Sequence, residues 1–219
     1  DKLSEAEKLS CGLFLLRGFL SPQEASEAFA FLNDDTQLPW NHKPRAGGER
    51  LDQHAYSYTR KKREYKNSQG LSFLERLCER IEKEFDGQVS DVWCNRFKKK
   101  TGHHIPWHTD TYGRHIFVLS LGAQRVVQFR KKPRMMRDQD DDAIEDIVPS
   151  SGNLYFFPLA VNNTHEHRVR GAHYNPNGQY DMEGTRLSLV FYFTTPKYAK
   201  EYKIAAGDRI RGFATTMFE

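Results

Sequence analysis

From Val89 onward the chain changes character. Short runs rich in aromatic and β-branched residues follow one another: Val92 to Phe97, His115 to Leu121, Val126 to Phe129, Leu154 to Phe157 and Arg186 to Thr194. Gly122, Gly152 and Gly184 punctuate them. Runs of this kind read as strands bounded by turns. The first part of the chain reads as helical. Ser21-Pro22-Gln23-Glu24 supplies a capping serine, a proline for the first turn and a glutamate that closes a capping box. Ala25, Ala28, Phe29 and Leu32 then form one apolar face. Ser72-Phe73-Leu74-Glu75 opens a second helix, whose stripe is Leu74, Leu77, Cys78, Ile81 and Phe85 and whose end is Asp86-Gly87. Helices first and many short strands after predict an α+β fold: a β-sandwich or jelly roll with helices packed outside.

The bulk numbers agree with one domain. The 219 residues, 38% apolar and 28% charged, suffice for a substantial core and exclude a disordered chain. No apolar run approaches twenty residues, so no membrane span is expected. Cys11, Cys78 and Cys94 are odd in number and widely spaced, so neither a disulfide framework nor a thiol zinc site is expected. A reducing intracellular compartment, nucleus or cytoplasm, is the expected home. The chain begins at Asp1, as a trimmed chain does, so the lack of a targeting segment carries no information. A net charge of +4 permits a polyanionic partner without requiring one. Two segments read as long loops, Lys131 to Ser151 with an acidic run at Asp138, Asp140, Asp141, Asp142, Glu145 and Asp146, and Gly171 to Gly184. The acidic run reads as a solvated surface.

The chemistry is concentrated in His108-Thr109-Asp110 and the distant His167. Two residues apart on a strand, His108 and Asp110 would face the same way. Two imidazoles and one carboxylate can hold one face of an octahedral Fe(II) and leave three positions free. His165 also lies near, and is read as a neighbour or a hydrogen-bonding support. His103, His104 and His115 are read as non-ligands. On the run from Arg186, period-two alternation puts Leu187, Leu189, Phe191 and Phe193 on an apolar face. Arg186, Ser188, Val190 and Tyr192 share the other. A guanidinium on a buried face needs an anion, and Arg grips carboxylates in a bidentate way.

Taken in order, Asn95-Arg96-Phe97, His108-Thr109-Asp110, Ser120-Leu121-Gly122, Phe129-Arg130, Gly152-Asn153-Leu154, Asn163-Thr164-His165-Glu166-His167 and Arg186-Leu187-Ser188-Leu189-Val190-Phe191 resemble the AlkB-like family of 2-oxoglutarate/Fe(II)-dependent dioxygenases. The resemblance covers roughly Leu16 to Thr194. It implies a double-stranded β-helix (jelly roll) core with N-terminal buttressing helices and a nucleotide lid. A single domain then divides into helices and lid at about 1–88, the jelly-roll core at about 89–196 and an extension at about 197–219. It implies Fe(II), 2-oxoglutarate and O2 as cofactors. By resemblance His108, Asp110 and His167 are the catalytic iron ligands, Arg186 binds the distal carboxylate of 2-oxoglutarate, Asn95 helps hold the co-substrate, and Ser188 occupies a polar position of the family's strand motif. Two departures stand out. The family's Asn-Arg-Tyr is Asn95-Arg96-Phe97 here, and the second arginine of its strand motif is Tyr192, which is read as a replacement hydroxyl for the co-substrate.

The implied reaction is oxidative demethylation of N-alkylated bases in DNA or RNA. Lys98, Lys99 and Lys100, with Arg60-Lys61-Lys62-Arg63 and Arg130-Lys131-Lys132, are candidates for phosphate contacts. Tyr56, Tyr58, Trp107 and Tyr112 are candidates for stacking on a flipped base. The alternatives are oxidation of a protein side chain and a non-catalytic binding module. No membrane partner is expected, and a monomer is favoured.

Overall fold

The computed structural model describes residues 2–44, 50–57, 69–98, 102–110, 114–133 and 144–195. Along the chain come β1 (Glu7–Lys8), β2 (Phe14–Leu16), α1 (Pro22–Asn33), β3 (Asn41–Pro44), β4 (Arg50–Ser57), α2 (Gln69–Phe85), β5 (Gln88–Phe97) and β6 (Ile105–His108). After them come β7 (His115–Gly122), β8 (Val127–Lys131), β9 (Glu145–Ile147), β10 (Leu154–Phe157), α3 (Leu159–Thr164), β11 (His165–Val169) and β12 (Arg186–Thr194). They form two antiparallel sheets. The major sheet has eight strands in the order β1-β2-β10-β7-β12-β5-β4-β3, and the minor sheet four in the order β6-β11-β8-β9. The arrangement is a jelly-roll core with α1 and α2 on one outer face. No helix among the described residues is long and apolar enough to cross a membrane.

The period-two patterns of the central strands decide which side chain meets which layer. Leu187, Leu189, Phe191 and Phe193 of β12 face the helices, together with Phe117, Leu119 and Leu121 of β7 and Leu154 and Phe156 of β10. Ala25, Ala28 and Leu32 of α1 and Leu74, Leu77, Cys78, Ile81 and Phe85 of α2 complete that layer. The opposite face of the major sheet packs against the minor sheet through Val118, Tyr155, Phe157, Phe129 and Val169. Burying an aliphatic or aromatic side chain of this size contributes about 1.5–3 kcal/mol. Two apolar layers therefore hold the sheet on both sides.

Helix α1 starts as its sequence predicts. Ser21 Oγ accepts from Glu24 N at 3.2 Å, and Glu24 Oε2 accepts from Ser21 N at 2.7 Å. Helix α2 begins at Gln69, before the expected start at Ser72. The Ser72–Glu75 spacing also fits residues on one face of a helix already under way. Its end follows the sequence: Asp86 takes a left-handed φ of 54°, and Gly87 N–H reaches back to Glu82 O at 3.3 Å. Gly87 is needed for space, because a Cβ there would lie 2.3 Å from the Phe193 ring. The first 88 residues hold more than helices, since they also supply four strands of the major sheet. The segment expected as a loop from Lys131 to Ser151 contains β9, paired with β8. Its residues 134–143, the basic run 60–63 and the extension beyond 195 lie outside the described residues.

Candidate metal and co-substrate site

His108, Asp110 and His167 converge. Their ligand atoms all lie within 4.8 Å of one another. The cause of the His–His approach is strand register. β6 pairs with β11, with His108 opposite His167, and the two rings lie 4.2 Å apart. His167 is packed between Phe129 and Phe157, at ring distances of 5.4 Å and 5.1 Å. Burial, and His108 beside it, hold its pKa well below the usual histidine value, so the ring is neutral and has a lone pair to offer. His108 Nδ1 lies 2.9 Å from Pro106 O. A carbonyl only accepts, so Nδ1 carries the proton and Nε2 is the free donor atom.

Asp110 reaches the cluster by a different route from the expected one. The strand ends at His108, and Asp110 lies beyond it, so the shared-face argument for His-x-Asp does not apply. Its backbone is held by the Asn162 side chain, as described further below. Its carboxylate is held by Tyr192, whose hydroxyl donates to Oδ1 at 3.3 Å. Oδ2 lies 3.6 Å from His167 Nε2. Tyr192, read from the sequence as a hydroxyl for the co-substrate, therefore contacts the metal-site carboxylate.

A cavity of about 230 Å³ opens from these three residues between the sheets. Asn95, Ser188, Tyr155 and Tyr192 line it among Trp93, Ile105, Val118, Phe157, Val169 and Val190. Asn95 and Ser188 are opposite each other in the β5–β12 register. Asn95 Oδ1 accepts from Gln53 Nε2 at 2.5 Å, which fixes the amide from the β4 side. Arg186 stands on the same face of β12, two residues before Ser188, and is fully buried. It donates to Ser120 Oγ at 3.0 Å, and the Tyr155 phenol lies beside it and favours its charged form. Its Nε and Nη1 have no hydrogen-bond partner, and no carboxylate of the described residues pairs with it. Burial pushes its pKa down from the ordinary value, but a guanidinium keeps its proton inside a protein. Burial pushes the Tyr155 phenol up, so it stays neutral and can donate.

Tyr155 was not singled out from sequence. Buried in the apolar run Leu154-Tyr155-Phe156-Phe157, it carries no local sign of a polar role. It places a phenol beside Arg186. His165 faces the same side of β11 as His167 but stands outside the cluster, with Nδ1 2.9 Å from Thr164 Oγ1. His115 is buried, and its Nδ1 accepts from Leu159 N at 3.2 Å. His103 Nδ1 accepts from Lys98 N at 3.0 Å.

The substrate candidates are placed less favourably. Trp107 points away from the cavity, on the outer face of the minor sheet. Arg130 and Arg168 cover its ring at 4.2 Å and 4.3 Å. The indole is already engaged by two guanidiniums. Lys98 Nζ is paired with the buried Asp52 at 2.9 Å. Arg130 is paired with Glu166 at 2.5 Å, and Lys132 holds the carbonyls of Asn162 and Asn163. Tyr58, Tyr112, Lys99 and Lys100 lie outside the described residues, as does the side chain of Tyr56 on β4.

No family model matches the sequence. No curated protein is similar to it either. The fold does have solved relatives. The non-heme α-ketoglutarate-dependent epimerase SnoN from nogalamycin biosynthesis superposes with a TM-score of 0.59 at 12% identity, over 84% of this chain and 77% of that one. It is one of 460 solved chains that match, and a fold shared so widely selects no substrate.

Proposed function

We propose that this chain is an Fe(II)- and 2-oxoglutarate-dependent oxygenase of the AlkB-like kind, acting on N-alkylated bases of DNA or RNA. One observation carries the class. A cluster of two histidines and one aspartate sits on the wall of a cavity, and a fully buried arginine, two of whose nitrogens have no hydrogen-bond partner among the described residues, stands beyond that wall. The donor set fits Fe(II), a borderline-to-hard cation suited to imidazole and carboxylate. The incompletely paired guanidinium fits a carboxylate, which would give Nε or Nη1 a charged partner. His108, Asp110 and His167 would hold the metal, and Arg186 with Tyr155 the distal carboxylate of the keto acid. With O2, the bound iron and keto acid supply oxidative decarboxylation coupled to hydroxylation of a substrate C–H bond, and on an N-methyl group the carbon then leaves as formaldehyde.

The chain's own residues position and shield. Arg186 and Tyr155 anchor one end of the keto acid, and Asn95, fixed by Gln53, orients it. Tyr192 holds Oδ1 of Asp110 and leaves Oδ2 toward His167. Ile105, Val118, Phe157 and Val190 give the cavity apolar walls, which exclude water from the reacting groups. The reading of an alkylated base rests on the sequence resemblance, the net charge of +4 and the β3–β4 pair, which extends the major sheet beside Asn95. A protein side chain is the second reading. It is favoured by the engagement of Lys98 with Asp52 and of Trp107 with two arginines, which leaves neither ready for a phosphate or a base.

The test is product analysis by mass spectrometry with iron, 2-oxoglutarate and a panel of methylated DNA, methylated RNA and methyl-lysine peptides. Succinate and formaldehyde formed with an oligonucleotide support the leading reading. Product from the peptide alone selects the second. No succinate above background with any substrate removes the enzyme reading and leaves a binding module.

A further inference from the structure

We propose that Asn162 is the positioning residue for Asp110: one amide side chain, carried by the short helix α3, replaces the strand that this metal-site carboxylate lacks. The inference rests on the metal reading above and adds a residue to it. β6 is an edge strand and ends at His108. Two residues later Asp110 is partly buried, and its N–H and C=O have left the ladder with β11. Partly buried backbone groups need partners. Asn162 meets both. Its Oδ1 accepts from Asp110 N at 3.1 Å, and its Nδ2 donates to Asp110 O at 2.7 Å. Only an amide side chain offers an acceptor and a donor so placed; a hydroxyl is too short and a carboxylate cannot donate. The pair of bonds copies what a neighbouring strand would provide.

Asn162 is itself fixed. It is 4% exposed and sits on a helix of six residues. At the start of that helix His115 Nδ1 accepts from Leu159 N at 3.2 Å. At its end Lys132 Nζ donates to Asn162 O at 2.9 Å and to Asn163 O at 2.8 Å. His165, the first residue of β11, follows directly, and His167 is two residues on. One short helix thus sets the backbone of one ligand through a side chain and the start of the strand that carries another. A shift of α3 would move Asp110 and His167 relative to each other, and metal affinity depends on their spacing.

The test uses Co(II) as a spectroscopic probe of the whole chain, titrated by visible absorption, with melting temperature measured with and without the metal. Asn162→Ala is expected to raise the Co(II) dissociation constant roughly 10- to 100-fold, the usual cost of losing a supporting partner of a ligand. The rise in melting temperature on adding Co(II) should shrink accordingly. A merely structural asparagine would lower the melting temperature equally with and without metal, and affinity within twofold of the parent overturns the proposal. Asn162→Leu keeps the buried volume and removes both bonds, and it decides by the same limits if the alanine variant does not fold. Failure of the metal reading itself looks different: the parent chain then binds no Co(II), or Asp110→Ala binds it equally well.

Discussion

Two buried arginines one register step apart show how differently the two faces of the major sheet treat a cation. Arg96 on β5 faces the helices and Arg186 on β12 faces the cavity, and both are at most 2% exposed. Arg96 is saturated. Its Nε donates to Asp52 at 2.8 Å and its Nη1 to Asn33 O at 2.8 Å, its Nη2 lies 2.6 Å from Asp35 and from Asp52, and the guanidinium covers the Trp40 ring at 4.6 Å. Arg186 has a serine hydroxyl, a phenol beside it and, among the described residues, no hydrogen-bond partner for Nε or Nη1. It also has a second cation for company: Arg125, pushed down to about 10 by burial first and Arg186 next, gives its Nη1 to the carbonyls of Gln124 and Met182 and its Nη2 to that of Gly184. The first arginine is a closed structural joint. The second is a positive site with no anion among the described residues, which costs stability unless a carboxylate completes it.

The largest effect belongs to the metal end of the cavity. Asp110→Ala should abolish Co(II) binding and reduce succinate formation to background, while the denaturation midpoint of the metal-free protein changes little. Full activity in this variant would leave the Arg186 site without a reaction to serve. Next comes the arginine comparison itself. Arg96→Met removes the buried partner of Asp52 and leaves it the half-exposed Lys98, so it should cost up to about 3–5 kcal/mol, read by urea denaturation, without altering the 2-oxoglutarate requirement of the folded fraction. Arg186→Met removes a charge that the fold leaves incompletely paired, so stability should hold or rise, while the KM for 2-oxoglutarate climbs roughly 100-fold, the cost of a lost charged anchor at about 1.4 kcal/mol per tenfold. If Arg186→Met instead unfolds the protein and Arg96→Met does not, the assignment of joint and site is reversed.

A third buried ionisable group sharpens the rule. His115 is held down to about 4 by burial, and its Nδ1 accepts a hydrogen bond, so the fold wants it neutral. Its ordinary value is about 6.5. The contribution is therefore complete above pH 6.5 and is lost as the pH falls from 6.5 to 4, where the folded chain takes up the proton. The 2.5-unit difference corresponds to about 3 kcal/mol. His115→Gln should flatten that part of the curve of denaturation midpoint against pH, and an unchanged slope would show that other groups govern acid sensitivity here.

What could be read from sequence follows from where each strand's information lies. The central strands β7, β10 and β12 announce themselves because both faces are buried and aromatic. β4, Arg-Leu-Asp-Gln-His-Ala-Tyr-Ser, and β11, His-Glu-His-Arg-Val, do not, because one face carries site residues and the other carries paired charges, so polarity gives no period. His108, Asp110 and His167, which the structure brings together, were legible as types and spacing. The way Asp110 is held was not, since its support, Asn162, comes 52 residues later. Trp107 shows the converse. Its neighbour in sequence is His108, yet strand alternation turns it to the opposite face, where Arg130 and Arg168 arrive from β8 and β11.

The smallest predicted effect isolates Tyr155, the residue the aromatic run concealed. Tyr155 lines the cavity with its phenol beside Arg186, while its ring packs 6.5 Å from Phe129 and 6.4 Å from Phe157. Tyr155→Phe keeps the packing and removes one bond to a charged group, a loss of about 1.5 kcal/mol or roughly tenfold in KM for 2-oxoglutarate. The kcat should move much less, because the phenol orients the co-substrate's far end and not its reacting carbon. Tyr192→Phe offers the matched control: its hydroxyl touches Asp110, so it should alter Co(II) affinity before it alters the keto-acid requirement. If the two variants exchange these signatures, Tyr192 is the co-substrate's hydroxyl after all, and the division of labour between the two phenols is the reverse of the one the hydrogen bonds describe.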